Sequence, residues 1–298
     1  MITIDSLTKK YGDAIVVDTI SFTARPGRIT GFLGPNGAGK STTMRMLVGL
    51  TEPTAGSATI DGDRFADLAN PGMEVGVMLD ASAQHAGRTG REILTIAQQT
   101  MGLPRHRVAE MLAVVSLDAT EADRRVANYS LGMRQRLGIA TALIGDPAVL
   151  VLDEPANGLD PAGIRWMRDL LRDHADRGGT VLLSSHLLRE VEVIADDIVM
   201  IGHGEIVSQG SKTELLKAGG SLVRTPEGDT LEQALAAAGA ETDRSGDGAL
   251  RTSADPGLVG RIALAAGVAL TELRTADGGL EDMFLELTAD TQREGRAA

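Results

Sequence analysis

Residues 34 to 41 read Gly34-Pro35-Asn36-Gly37-Ala38-Gly39-Lys40-Ser41, which fits the pattern G-x-x-x-x-G-K-[ST] at every fixed position. No other stretch restricts the possible architecture so tightly. Its glycines let the backbone curl until successive N–H groups point inward at an anion, and such a loop works only between a buried strand and a helix. Both flanks are legible: Arg28 to Leu33 (RITGFL) reads as a short apolar strand, and Met44, Leu47 and Val48 fall at helical spacing behind the loop. That context separates the segment from a plain glycine-rich turn. The helix N-terminus adds partial positive charge, so the segment is expected to cradle phosphates. Lys40 is then placed to reach the β- and γ-phosphates of a nucleotide, and the Ser41 hydroxyl to ligate Mg²⁺.

With 298 residues the chain has room for one large α/β domain and a smaller second one. Ahead of the loop it reads as β-rich, with strands at Met1 to Ile4 and Ile15 to Ala24 and a turn at Arg25-Pro26-Gly27. Behind it come strands Ala58 to Ile60 and Val75 to Leu79, the second ending on Asp80. From Arg88 to Leu143 the apolar residues keep a three-or-four spacing, which predicts a helical insertion over about residues 88–145. Ala148 to Leu152 (AVLVL) has the continuous apolar character of a central parallel strand. Strand Thr180 to Leu183, helix Leu187 to Ala195 and strands Ile198 to Ile201 and Glu205 to Val207 follow, and the alternation argues for a doubly wound sheet within residues 1–217. Past Ala218-Gly219-Gly220 the order is strand Ser221 to Thr225, helix Thr230 to Ala238, a hairpin around Ser245-Gly246-Asp247-Gly248, helix Pro256 to Ala266, strand Ala269 to Thr275 and helix Leu280 to Leu287. This predicts a small β-α-β-β-α-β domain over residues 218–288, followed by a polar, flexible tail at 289–298.

The strand Ala148 to Leu152 delivers Asp153 and Glu154 at its carboxyl end, where α/β folds place their chemistry. Behind a phosphate loop the two suggest a division of labour: Asp153 holds Mg²⁺ through its water shell, while Glu154 orients or deprotonates a water in line with the γ-phosphate. His186, at the end of the neighbouring strand, is placed to donate to the γ-phosphate. Ser130 is placed to cap a helix, and Tyr11, one of two tyrosines, offers an aromatic face for a base. Each has a plain structural alternative as a cap, a turn residue or a half-buried strand end. Composition narrows the classes. A net charge of −12 argues against nucleic acid as the main partner, and the absence of cysteine excludes disulfides, thiolate metal sites and a thiol nucleophile. No apolar run reaches the ~18 residues that span a bilayer, and Met1-Ile2-Thr3-Ile4-Asp5 does not read as a secretory signal, so the expectation is a cytoplasmic protein.

Taken in order, Tyr11, the loop at 34 to 41, Tyr129-Ser130-Leu131-Gly132-Met133, the strand ending Asp153-Glu154-Pro155, Gly158-Leu159-Asp160 and His186 resemble the motif set of the ATP-binding cassette (ABC) ATPases over roughly residues 1 to 215. The resemblance implies a P-loop NTPase fold of that type, with a mixed sheet core, an antiparallel β subdomain and an α-helical subdomain, carrying here a small α+β C-terminal domain. It implies hydrolysis of ATP with Mg²⁺, with Glu154, His186 and Lys40 as catalytic residues. The implied nucleotide contacts are Tyr11, Gly34, Asn36, Gly37, Ala38, Gly39, Lys40, Ser41, Thr42 and Asp160, and the implied metal contacts are Ser41, Asp153 and Asp80. In that family ATP is sandwiched in a head-to-tail dimer, so Ser130 and Gly132 of one copy would meet the γ-phosphate held by the other.

Two departures stand out. The family's signature is commonly Leu-Ser-Gly-Gly-Gln, and here Leu131 and Met133 occupy its third and fifth places. The loop after Val75 to Leu79 usually carries a glutamine that touches Mg²⁺ and senses the membrane subunit; Asp80 stands there, with Gln84 close behind. The signature variant and the C-terminal domain resemble the ATPase subunits of bacterial drug and antibiotic exporters, which power a separate multi-span permease from the inner face of the cell membrane. The competing reading is a soluble ABC protein acting on the ribosome or on DNA. Such relatives typically carry two cassettes, long coiled coils or basic surfaces, and this sequence has one P-loop, no sustained heptad run and an acidic balance.

Overall fold

The computed structural model describes residues 1–185, 188–217, 220–244 and 248–275. It divides into two compact units, Met1–Gln209 and Gly210–Ala298, the division falling ahead of the Ala218-Gly219-Gly220 segment suggested by the sequence.

The first unit opens with an antiparallel sheet in the order β2-β1-β4, from β1 (Ile2–Tyr11), β2 (Ala14–Ala24) and, after β3 (Arg28–Leu33), β4 (Ala55–Ile60). β1 runs well past the expected end at Ile4. The register shifts between Ile4 and Leu7, where Ser6 takes a φ of 48°, so the in-out alternation restarts with Leu7 and Thr8 buried. That bulge hides the strand from a period-two reading.

The larger sheet has the order β5-β6-β7-β3-β8-β9, from β5 (Val75–Met78), β6 (Val149–Leu152), β7 (Thr180–Ser185), β8 (Asp197–Gly202) and β9 (Glu205–Ser211). β5, β6, β7, β3 and β8 pair in parallel. The residues of β6 and β7 are buried throughout, as expected of strands covered on both faces. Phe22 of β2 and Phe32 of β3 lie with ring centroids 5.2 Å apart, joining the two sheets in one core with Met44, Val151, Leu182 and Ile201.

Between β5 and β6 lies the expected helical region, with helices Gly90–Thr100, His106–Val114, Ala119–Ala122 and Leu131–Leu143. Two of them start with capping boxes, Thr89 with Glu92 and Asp118 with Glu121, which pins their first turns without help from the core. The helix Leu131–Leu143 rests directly on β5: a Cβ added at Gly76 would stand 2.2 Å from the Ala142 carbonyl oxygen and 2.6 Å from Leu150 Cδ2. The close approach therefore depends on the absence of a side chain there.

The second unit follows the expected α+β order. β10 (Ser221–Arg224), β11 (Thr242–Arg244), β12 (Leu250–Thr252) and β13 (Glu272–Thr275) form a sheet in the order β11-β12-β10-β13, antiparallel at each pairing. The helices Gly228–Ala237 and Pro256–Ala266 supply Leu231, Leu235, Val259 and Ala263 to a core completed by Val223 and Leu250. This is the split β-α-β arrangement. The expected helix Leu280 to Leu287, the tail and most of the Ser245-Gly246-Asp247-Gly248 hairpin lie outside the described residues.

Gly76→Ala is expected to lower the stability of the first unit by about 1–3 kcal/mol, because its methyl meets a backbone carbonyl that cannot turn aside. A urea melt followed by circular dichroism checks this, and an unshifted midpoint would show that the helix can lift off β5 at no cost.

Candidate functional site

Because β5, β6, β7 and β3 run parallel, their carboxyl ends share one edge. Leu33 pairs with Ser185, Leu152 with Leu183 and Met78 with Leu152. The glycine loop leaves β3 at this edge, Asp153 and Glu154 leave β6, and the Asp153 N–H donates to the Met78 carbonyl at 2.7 Å. Around them lies a cavity of about 250 Å³, lined by Val16, Asn36, Gly37, Gly39, Lys40, Ser41, Thr42, Asp153 and Glu154. Of the residues singled out in the sequence, the structure thus brings Asn36, Gly37, Gly39, Lys40, Ser41, Thr42, Asp153 and Glu154 together. Gly34 and Ala38 are buried behind the loop: a Cβ at Gly34 would stand 2.4 Å from the Ile201 carbonyl oxygen. Val16, whose apolar character carries no motif, joins the lining from β2.

Gly39 precedes the helix Lys40–Leu47 with a φ of 107°, and a Cβ there would lie 2.8 Å from the Val16 carbonyl oxygen. Lys40 is 6% exposed, and its ammonium donates to the carbonyls of Gly34 at 2.6 Å and Pro35 at 3.1 Å. Burial pushes its pKa down, while the nearby Glu154 and Asp153 carboxylates push it up. The ammonium thus sits folded against its own loop at the edge of the cavity.

The two carboxylate residues are held in different ways. Asp153 accepts from Ser41 Oγ at 2.6 Å through Oδ2, and its Oδ1 accepts from the Ser184 hydroxyl. Glu154 has a φ of 50°, a conformation that L residues adopt with strain. Its N–H donates to Ser184 Oγ at 3.0 Å, and its carbonyl accepts from Gln135 Nε2 at 3.0 Å. Ser184 and Gln135 are both buried and were invisible to motif reasoning. The signal for the first is a polar residue closing an apolar strand; for the second it is a polar side chain on a core-facing helix position. The Ser41 hydroxyl and Asp153 carboxylate form a hard, all-oxygen donor pair, which suits Mg²⁺ sharing its shell with phosphates and water. Among the described residues no group of three or more His, Cys, Asp or Glu side chains gathers into a self-sufficient metal cage.

Several predicted residues lie apart from the cavity lining. Tyr11 is 53% exposed at the end of β1, with the Lys9 ammonium 4.8 Å from its ring centroid. Asp80 caps the short turn Ala81–Ala83, accepting from Ser82 N at 2.7 Å and Ser82 Oγ at 2.6 Å, and these hydrogen bonds hold its carboxyl below the usual range. Gln84 donates to the Arg134 carbonyl at 3.2 Å instead of reaching toward the loop. Ser130 is the exposed N-cap of the helix Leu131–Leu143, its hydroxyl accepting from Met133 N at 3.2 Å. Gly132 lies against the loop that follows β6, since a Cβ there would be 2.9 Å from the Gly158 carbonyl oxygen. Asp160 caps the helix Pro161–Asp176 through Gly163 N at 2.8 Å. His186 falls outside the described residues, directly after the end of β7.

Comparison with known proteins places this geometry. A family model described as ABC transporter matches residues 17–157, and one described as a domain of unknown function matches residues 221–281. The chain is 35% identical to the bacitracin transport ATP-binding protein of Bacillus licheniformis, over 94% of this chain and 95% of that one. It is 35% identical to the Nod factor export ATP-binding protein I of Ralstonia nicotianae, over 99% and 95%. An uncharacterized ABC transporter ATP-binding protein of Bacillus subtilis is 34% identical over 97% and 96%. Among solved structures, an ATP-binding subunit of an ABC transporter superposes with a TM-score of 0.69 at 23% identity, covering 97% of this chain and 99% of that one. A dimeric cassette bound to ADP and Pi has a TM-score of 0.65 at 23% identity, covering 71% and 99%. These two share the fold.

Gly39→Ala is expected to destabilise the protein by about 1–2 kcal/mol with no ligand added, because the left-handed backbone and the Val16 carbonyl both oppose a methyl. Calorimetry in nucleotide-free buffer checks this, and a wild-type melting temperature would mean that the loop can adopt another path.

Proposed function

This chain belongs to the ABC transporter family, and we propose that it is the ATP-hydrolysing subunit of an exporter, driving a separate membrane permease through closure of a head-to-tail dimer. The observation that carries the proposal is the Ser41–Asp153 pair set beside Glu154 at the mouth of a glycine-lined cavity. In this reading the loop N–H groups and the Lys40 ammonium take the β- and γ-phosphates of ATP. Ser41 and Asp153 hold Mg²⁺, which when bound neutralises charge on the phosphate oxygens. Glu154 orients the attacking water and accepts its proton, and His186 donates to the γ-phosphate. Tyr11 stacks on the base.

Ser130 and Gly132 stand outside the cavity of their own chain, on an exposed helix N-terminus, and this supports a role toward ATP held by a second copy, a role to which Asp160 is also assigned. Asp80, at the exposed end of β5, is assigned to metal contact and to coupling with the permease. None of the described helices is long and apolar enough to cross a membrane, which fits a protein held at the inner face of the cell membrane by its permease. Export is supported by the relatives named for bacitracin transport and Nod factor export. The small domain over residues 218–288 is read as an accessory to this machinery.

Glu154→Gln is expected to bind ATP as the parent does while losing nearly all turnover, because its carboxylate acts only in the chemical step. Steady-state phosphate release with parallel nucleotide titration checks this, and parental turnover would remove Glu154 from the mechanism. Lys40→Ala should instead weaken ATP binding at least about tenfold, the loss of a charge-assisted contact. Unchanged affinity would detach Lys40 from the phosphates.

A further inference from the structure

The peptide units on either side of Glu154 are gripped from two directions. Ser184, fully buried at the end of β7, accepts from the Glu154 N–H and donates to Asp153, so one hydroxyl fixes the carboxylate of the first residue against the backbone of the second. On the other side, Gln135 reaches from the helix Leu131–Leu143 to donate to the Glu154 carbonyl at 3.0 Å. Gln135 is 4% exposed, and its Oε1 is buried with no hydrogen-bond partner among the described residues. Leaving a buried acceptor unmet is a cost that packing alone does not require, since an apolar side chain of the same length would avoid it. The amide is therefore retained for what its donor end does, and that donor ends on a residue held at a φ of 50°. A strained conformation persists only where its surroundings over-determine it.

We propose that Gln135 is a positioning residue for hydrolysis: through its amide, the helix that begins at Ser130 sets the direction in which Glu154 presents its carboxylate. Gln135 does not line the cavity and touches no reacting group; it acts on the backbone of the residue that does. Ser184 is the opposing half of the clamp, and its tie to Asp153 keeps the two acidic residues in fixed relation. Since Ser130 and Gln135 ride on one helix, the contact offered to a second copy and the orientation of the chain's own Glu154 are mechanically joined. The inference rests on Glu154 acting in ATP hydrolysis, as proposed above.

The test is a double-mutant cycle on the full-length protein, measuring ATP turnover and nucleotide affinity. Gln135→Met keeps the side chain's length and removes its polar ends, so folding is preserved, as a thermal melt will verify. The expected result is a kcat lowered about tenfold, a half-saturating ATP concentration within about twofold of the parent, and no further loss when the substitution is added to Glu154→Gln. Partial recovery in Gln135→Asn, which restores the donor at shorter reach, would strengthen the assignment. Parental kcat in Gln135→Met, or an equal loss in the Glu154→Gln background, would overturn it, because a structural defect lowers both alike. Absence of turnover in the unaltered protein would instead defeat the ATPase reading on which the inference stands.

Discussion

At the mouth of the cavity the governing fact is a desolvated ammonium. Lys40 is almost wholly withdrawn from water, and such a charge is tolerated only if its three donors are met and opposite charge stands near. The loop's own carbonyls at Gly34 and Pro35 meet two of them, and the fields of Glu154 and Asp153 offset part of the desolvation. The rest of the edge follows. The loop must leave β3 and double back, which Gly39 permits through its left-handed backbone, and β6 ends two residues short of β3 in the shared register, so that Asp153 and Glu154 follow it up to the edge where the loop begins.

The same strand ends separate two neighbouring acidic residues into different states. Asp153 accepts from two hydroxyls, one on each carboxylate oxygen, which orients both oxygens. Glu154, one residue on, is turned into the left-handed region, with its peptide held by Ser184 and Gln135. One residue is fixed by its side chain, the other by its backbone, and the difference suits the roles proposed for them, a stationary ligand beside a side chain that acts on water.

Much of this was legible in the sequence where the chemistry needs a fixed spacing. The phosphate loop, the apolar run ending in Asp153-Glu154 and the strand-helix alternation each constrain residues that are neighbours in the chain, and the structure brings the loop and the carboxylates to one edge. What escaped was long-range or conformational. The reach of Gln135 to Glu154 spans a helix and a strand, the Ser184 bridge depends on β7 lying beside β6, and the length of β1 was masked by the bulge at Ser6. Asp80 was legible only as a departure from the family's glutamine, and its hydrogen bonds to Ser82, which close a turn, were not.

Gly132 lies against the Gly158 carbonyl, and neither glycine has room for a side chain: one would meet that carbonyl, the other Leu131. Leu131 and Leu159 flank this seam, and Asp160 opens the next helix directly beyond it. The start of one helix and the approach to another are thereby packed backbone to side chain, so that a larger residue at either glycine would have to push the two apart.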